Sequence, residues 1–489
     1  MRILFYYKGV ENLGIEYLSS YLKQFGHKTE LIFDPGLDDN FYFRLPVKSI
    51  FNLEKRMMRK AKRFKPDLIA FSAITNLYPS IKNIAEKLKR ELDVPTIVGG
   101  IHATALPEVV LKEKYFDMVC LGEGEEALLE LVNSMETGRM NFKIKNIWFK
   151  KGNKIIRNPI RPLIQDLDSL PFPDKDIFYK YGVFKKRLLI MCSRGCPFSC
   201  TYCINNFYSK LYRNKGNYVR RRDVENVVEE VKLTVEKYGC NFIWFQDDIF
   251  PVDEKWLMKF KDMYTKEIGL PFHCNLHPST VNEKNVKLLK ESGCTGIDIG
   301  VQTANQTIRK KLLHTHTSNE QIIKAAKIIN ENRINLATNL IFGFPNETYD
   351  NMWNSFVFNK KLNPHNTASL IFYPFPKIAL TEYCINHKMM NEKQVKQMNE
   401  GIGSVHTILL IKHPYTQEIM NFNALTPIFV KLPEFTFPLL KKIVKGRYSY
   451  IHKFLYLLSI PFTDKREFLQ RLKDFPRMIY YTMEEYNLF

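Results

Sequence analysis

The chain is 489 residues long, with 45% hydrophobic residues, 25% charged residues and a formal net charge of +21. That length carries roughly three domains, and the composition is that of a folded globular protein, which excludes a disordered or collagen-like chain. No uncharged apolar run reaches the roughly 18 residues that a membrane crossing needs, and the opening MRILFYYKGVENLG lacks a cleavable signal pattern, so a cytoplasmic location is expected.

The first third reads as alternating strands and helices. Arg2–Tyr6 is a short apolar strand, Leu13–Gly26 a helix ending at a glycine, and His27–Phe33 a second strand. Glu54–Lys65 is a basic helix. Leu68–Ser72 is a continuous apolar strand, Ser80–Leu92 an amphipathic helix, Pro95–Val98 a strand running into Gly99-Gly100, and Asp117–Leu121 a strand running into Gly122-Glu123-Gly124-Glu125. Strands without polar alternation, separated by helices, predict a doubly wound parallel sheet over residues 1–140. Ligands of such sheets bind at the carboxyl ends of the strands, where Ser72–Thr75, Gly99–Thr104 and Gly122–Glu125 lie.

Residues 141–184 read as a linker, because Leu170-Pro171-Phe172-Pro173-Asp174 cannot continue a helix or a central strand. The alternation then resumes. Leu188–Cys192, Phe242–Gln246, Ile297–Gly300, Asn335–Phe342 and Ala368–Phe372 are candidate strands, with helices at Val224–Tyr238, Glu283–Ser292 and Asn319–Asn332. About six βα units over residues 185–380 predict a partial (β/α)6 barrel, short of the eight units of a full one. Residues 381–489 turn helical, aromatic and proline-interrupted, and are expected to form a separate helical region.

Four of the nine cysteines fall within twelve residues: Cys192, Cys196, Cys200 and Cys203. Cys192 sits on a strand and reads as core. Cys196, Cys200 and Cys203 follow it on one loop, spaced Cys-x3-Cys-x2-Cys. A zinc ribbon needs two pairs and there is no second pair. Three thiolates on a short loop suit a [4Fe–4S] cube, with its fourth iron left open to a small molecule. Residues 181–222 hold ten Lys/Arg and no acid, which suits either a solvated basic face or a funnel for anionic cofactors and substrates. No nucleic-acid recognition module accompanies them, so no nucleic-acid partner is expected.

Cys196-Pro197-Phe198-Ser199-Cys200-Thr201-Tyr202-Cys203 resembles the signature of the radical SAM superfamily, and Ser193-Arg194-Gly195-Cys196 its cobalamin-associated branch. The resemblance implies a [4Fe–4S] cluster on Cys196, Cys200 and Cys203, S-adenosylmethionine on the open iron, and a 5′-deoxyadenosyl radical made by its cleavage. It places Tyr202 beside the adenine. It places Asp247 and Asp248, in Phe245-Gln246-Asp247-Asp248, near the methionine amino group, where a carboxylate accepts from an ammonium. Gly300-Val301-Gln302-Thr303 resembles the family's ribose segment, with Gln for Glu and Thr for Ser. Arg309, Lys310 and Lys311 are candidates for the methionine carboxylate. Gly343-Phe344-Pro345-Asn346-Glu347-Thr348 and Tyr373-Pro374-Phe375-Pro376 resemble later family segments. His314 and His316 read as a solvated turn.

Upstream, Val98-Gly99-Gly100-Ile101-His102 and Leu121-Gly122-Glu123-Gly124 resemble the Rossmann-like cobalamin-binding domain that precedes many radical SAM enzymes. The resemblance implies cobalamin held by Ser72, Thr75, Gly99, Gly100, His102, Gly122, Glu123 and Gly124. The DxHxxG motif that supplies a histidine to cobalt is absent. The implied function is methylation of an unactivated carbon of a small-molecule or lipid substrate through methylcobalamin, fed by an electron donor such as flavodoxin or ferredoxin. A radical cyclase or rearrangement enzyme is the alternative, and an iron–sulfur binding module the non-enzyme one. A methylthiotransferase would need three further cluster cysteines, and only Cys120 lies in residues 1–180. Apolar stretches at Ile419–Val430 and Phe454–Phe462, beside Lys431, Lys441, Lys442, Lys445, Arg447 and Lys453, read either as a cap on the barrel mouth or as a peripheral membrane contact.

Overall fold

Short apolar runs, each followed by a helix that returns the chain to the same edge, give this molecule two parallel sheets. The structure is a computed structural model that describes residues 1–36, 53–183 and 187–446. The first sheet has seven strands in the order β2-β1-β3-β4-β5-β6-β7. These are β1 (Arg2–Lys8), β2 (Lys28–Asp34), β3 (Leu68–Ser72), β4 (Thr96–Gly99), β5 (Met118–Cys120), β6 (Ile147–Lys151) and β7 (Lys154–Ile156). The first five run parallel, and β6 and β7 add antiparallel at one edge. Helices on both faces bury the central strands almost completely.

That edge hairpin lies within the stretch read above as a linker. Its strands are short and basic, so they show no apolar run. The rest of the stretch is also built in. Lys175 is buried, and its Nζ lies 2.7 Å from Glu11 Oε1, 2.6 Å from Glu16 Oε2 and 2.9 Å from the carbonyl of Leu189. Burial pulls the Lys175 ammonium down, but the two carboxylates outweigh it and hold its pKa above the ordinary lysine value. The connector thus pins the first sheet to the start of the second.

The second sheet is six parallel strands in the order β15-β14-β13-β12-β11-β8, curled into a half-barrel. They are β8 (Arg187–Ile190), β11 (Phe242–Phe245), β12 (Phe272–Leu276), β13 (Cys294–Gln302), β14 (Asn335–Phe342) and β15 (Asn366–Ile371). A small antiparallel pair, β9 (Ser193–Arg194) and β10 (Arg220–Arg221), flanks the loop that leaves β8.

Beyond residue 380 the described chain is helical. The helix Thr416–Phe429 packs on β14 and β15, burying Ile419, Phe422, Leu425 and Phe429. The Ile419–Val430 stretch is therefore largely spent on packing against the half-barrel. Lys431 donates to the carbonyls of Pro364 and His365, and Lys441 and Lys445 lie over the rings of Trp353 and Tyr349. Phe454–Phe462, Arg447 and Lys453 lie outside the described residues. Among the described residues no helix is long and apolar enough to cross a membrane.

Candidate active site

The three cysteines leave β9 on a loop that ends at the helix Ile204–Leu211, whose N-cap is Cys203. A helix N-terminus favours negative charge, which suits a thiolate. Gly195 enters the loop at φ +89°, and a Cβ there would sit 2.3 Å from the carbonyl oxygen of Tyr218. Only glycine fits that position. The loop is tied down further on. Thr201 N–H donates to the Leu313 carbonyl at 3.1 Å, and its Oγ1 to that of Leu312 at 2.6 Å. Asn205 Nδ2 points at Cys203 Sγ at 3.7 Å, and Tyr218 Oη donates to Asn205 Oδ1.

Burial pushes the Cys196 thiol up to about 12 and the Cys200 thiol to about 11; each feels the thiol of Cys203 in addition. A metal bound there would supply the positive charge that turns them into thiolates. Among the described residues no three His, Cys, Asp or Glu side chains converge on a single-ion site. A cube spreads its irons over several corners, and the three thiols share one short loop, with Cys196 and Cys200 each within electrostatic reach of Cys203. The other six cysteines are buried, Cys192 among them. Tyr202 is half-buried, its ring edge-on to Phe344 at 6.1 Å.

The neighbouring carboxylates at the end of β11 are placed differently. Asp247 is fully buried and accepts from Cys192 N–H at 3.0 Å and from the Ser193 hydroxyl. Burial lifts its carboxyl to about 6 against those hydrogen bonds. It fastens the root of the cysteine loop. Asp248 is the one that acts on the thiols of Cys196 and Cys203. Gln302 ends β13 at φ +57°, beside a register shift in its pairing with β14, and its side chain folds over Gly300. Arg309 is buried and donates to the carbonyl of Thr303 at 3.1 Å and to Asn319 Oδ1, whereas Lys310 and Lys311 are exposed. His314 and His316 are exposed too.

Beneath Gln302, Thr303 Oγ1 lies 3.3 Å from Glu347 Oε1. Glu347 also accepts from the Gly343 N–H at 2.8 Å and from that of Phe344 at 3.3 Å. Burial pushes its carboxyl up to about 8 in spite of these bonds. The native state therefore holds a proton that the unfolded chain, with a carboxyl near 4.5, releases. Native stability is then full below that lower value and falls as pH rises toward about 8. Glu347→Gln is expected to flatten the fall. Unfolding midpoints measured between about pH 5 and pH 8 check it; a slope equal to the wild type's contradicts it.

On the first sheet, Ser72 and Gly99 face each other in register at the ends of β3 and β4. Ser72 stays half-buried, and a Cβ on Gly99 would meet nothing nearer than Cys120, at 3.9 Å. Gly100 takes φ +92° with the Ala73 carbonyl 2.8 Å from where a Cβ would stand. His102 is fully buried, its ring tilted against that of Tyr78 at 4.1 Å, with Nδ1 3.3 Å from Thr75 Oγ1. Burial drives its pKa down to about 3, so the ring is neutral, and its Nε2 has no partner. An open backbone cradle beside an orphaned buried nitrogen fits a ligand with a polar tail at these strand ends. In the loop after β1, where a cobalt-binding histidine would stand, Glu11 is committed to Lys175.

The Gly122–Glu125 turn faces the other sheet. A Cβ on Gly122 would lie 1.7 Å from Tyr212 Oη, which accepts from the Glu123 N–H at 2.8 Å. The Glu123 and Glu125 carboxylates pair with Arg194 and Arg220. Gly124 lies against Leu18 and Cys120. The structure thus joins the cysteine loop and the strand ends of the first sheet at one place. Sequence reasoning did not single out Arg194, Arg220 or Tyr212 for this. The signal was the acid-free basic run, of which Arg220 and Arg222 are buried and Arg194 nearly so. It also passed over the pair on β12 and β13, His273 Nε2 and Asp298 Oδ2, 3.1 Å apart.

Residues 190–358 match the model of the radical SAM superfamily, and residues 6–132 match that of the B12 binding domain. The chain belongs to the radical SAM superfamily and carries a B12-binding domain ahead of its radical SAM domain. An uncharacterised methyltransferase of Pyrococcus horikoshii is 28% identical over 420 residues, covering 83% of this chain and 84% of its own. An anaerobic magnesium-protoporphyrin IX monomethyl ester cyclase of Rubrivivax gelatinosus is 26% identical over 401 residues, covering 77% and 68%. The radical S-adenosylmethionine methyltransferase TsrM of Kitasatospora setae, solved with cobalamin and a [4Fe–4S] cluster, shares the fold with a TM-score of 0.64 at 16% identity, covering 79% of this chain and 78% of its own. The cobalamin-dependent radical enzyme OxsB does so with a TM-score of 0.65 at 19% identity, covering 98% and 75%. The cofactors of a radical SAM enzyme of this branch are a [4Fe–4S] cluster, S-adenosylmethionine and cobalamin.

Proposed function

We propose that this radical SAM enzyme methylates an unactivated carbon of a small-molecule substrate. The observation that supports the reading is the ion pairing of Arg194, at the root of the cysteine loop, with Glu123 and Glu125 of the Gly122–Glu125 turn, which ties the two regions to each other. When bound, the cluster with S-adenosylmethionine supplies a radical that removes a hydrogen atom, and cobalamin supplies the methyl group. Cys196, Cys200 and Cys203 hold the cluster. Asp248 accepts from the methionine ammonium, Gln302 lies toward the ribose, and the Tyr202 ring, backed by Phe344, lines the adenine side. Ser72, Gly99 and Gly100 present the cradle for cobalamin, with Thr75 and His102 behind it.

Exposed Lys210, Arg213 and Arg221, near the loop, suit an acidic electron donor such as flavodoxin or ferredoxin. The likeness to a cyclase favours a second reading, a ring-forming reaction at the same site. Mass spectrometry of small-molecule and lipid extracts from cells with and without the chain tests the proposal. The expected product is one methylene heavier than its precursor and takes up a trideuteromethyl label from methionine. A product that has instead lost hydrogen, with no label, replaces methylation by the second reading.

A further inference from the structure

Arg194 stands two residues before Cys196 and pairs across the β9–β10 ladder with Arg220. Both guanidiniums reach the first sheet. Arg194 Nη1 lies 3.1 Å from Glu123 Oε1, and its Nη2 lies 2.7 Å from Glu125 Oε1. Arg220 Nη1 lies 2.8 Å from Glu123 Oε1 and donates to the Ile164 carbonyl at 2.8 Å. The Ile164 N–H donates to Glu123 Oε2 at 3.2 Å. The Tyr17 ring lies under the Arg194 guanidinium at 5.0 Å. Two cations and two anions thus close on one another with side-chain exposures of 16%, 5%, 17% and 6%, too sheltered for a loose surface pair. Burial alone would raise the Glu125 carboxyl; Arg194 outweighs it and keeps it ionised.

The link from this knot to the cluster has no slack. Gly195 alone separates Arg194 from Cys196, and its φ of +89° is pressed against the Tyr218 backbone. On the other side Gly122 is pressed against Tyr212, which belongs to the turn just after the helix that Cys203 caps. Planar guanidiniums held by two acceptors fix orientation as well as distance. We propose that Arg194 and Arg220 are positioning residues that lock the cluster loop onto the Gly122–Glu125 turn, and so set the gap between the two cofactors in which the substrate sits. The lock itself is independent of the methylation reading; what it positions rests on that reading.

The test uses the full chain, reconstituted with iron, sulfide and cobalamin, as wild type, Arg194→Gln, Arg194→Lys and Glu125→Gln. Iron content is expected to match wild type in all three variants. In Arg194→Gln and Glu125→Gln, hydrogen exchange at the Gly122–Glu125 and Cys196–Cys203 amides is expected to rise at least about tenfold, with Arg194→Lys in between. Pulsed electron paramagnetic resonance between cob(II)alamin and the reduced cluster should give one sharp distance in wild type and a broad distribution in Arg194→Gln. Arg194→Gln or Glu125→Gln exchanging like wild type, with the distance unchanged, overturns the proposal. If Arg194→Gln does not fold, Glu125→Gln, which keeps side-chain shape, decides by the same two readouts. A wild type that takes up no corrinoid sinks the methylation reading, while the exchange measurement still decides the lock.

Discussion

Replacing Cys196, Cys200 and Cys203 together with alanine is expected to remove all bound iron and abolish cleavage of S-adenosylmethionine, leaving a folded protein. Wild type reconstituted without oxygen should hold about four irons per chain, the content of one cube. No other thiol can stand in. Cys120, Cys192, Cys240, Cys274, Cys294 and Cys384 are all buried in the core. The loop itself contributes little to that core, which lies in the strands and the helices that cover them. Far-ultraviolet circular dichroism should therefore be unchanged. Cys192→Ala is the control and should keep its irons. Its thiol is buried in the core, where the Asp247 carboxylate accepts from its backbone N–H and also touches the thiol, away from the loop of the other three cysteines. Eight irons in wild type, or iron retained in the triple variant, contradict the one-cluster assignment.

Lys175→Ala is expected to cost about 3–5 kcal/mol of stability, the toll of leaving a buried charge without its partner. The ammonium sits between Glu11 and Glu16, whose side chains are 4% and 0% exposed. Alanine leaves two carboxylates facing each other out of reach of water. Glu16 already carries a raised pKa, from burial first and from Glu11 in addition. The Glu16 carboxyl would then be driven to take up a proton, and the loss should shrink at low pH. Adding Glu11→Gln and Glu16→Gln to Lys175→Ala should recover part of it. Denaturant unfolding of wild type, Lys175→Ala and the triple variant measures this. A Lys175→Ala midpoint equal to wild type's shows that the connector does not hold the two sheets together.

Much of this was legible in the chain itself, for reasons tied to particular residues. Leu68–Ser72 is a central strand, buried along nearly its whole length, and its apolar run marks it. The strand Phe272–Leu276 escaped that reading. His273 and Asn275 occupy its half-buried positions, so the segment FHCNL alternates instead of running apolar. The β6–β7 hairpin was hidden by its lysines. In the site, the cysteine spacing is local and survives in any reading of the sequence. Asp247 and Asp248 were not separable. Consecutive residues at a strand end point in opposite directions, and only the fold shows that Asp247 turns inward to Cys192 and Ser193. The pairing of Arg194 and Arg220 with Glu123 joins residues 71 and 97 positions apart, which no local pattern encodes.

The central claim is that one chain couples radical formation to methyl transfer. The most direct measurement is the ratio of the two nucleoside products made from S-adenosylmethionine. The reconstituted wild type would be incubated anaerobically with a reductant and with extract of its host cells as the source of substrate. Each methylation consumes one molecule to make the radical and another to restore the methyl group. The account predicts 5′-deoxyadenosine and S-adenosylhomocysteine in equal amounts, both dependent on the extract. 5′-Deoxyadenosine accumulating with the extract while S-adenosylhomocysteine stays at background would contradict it.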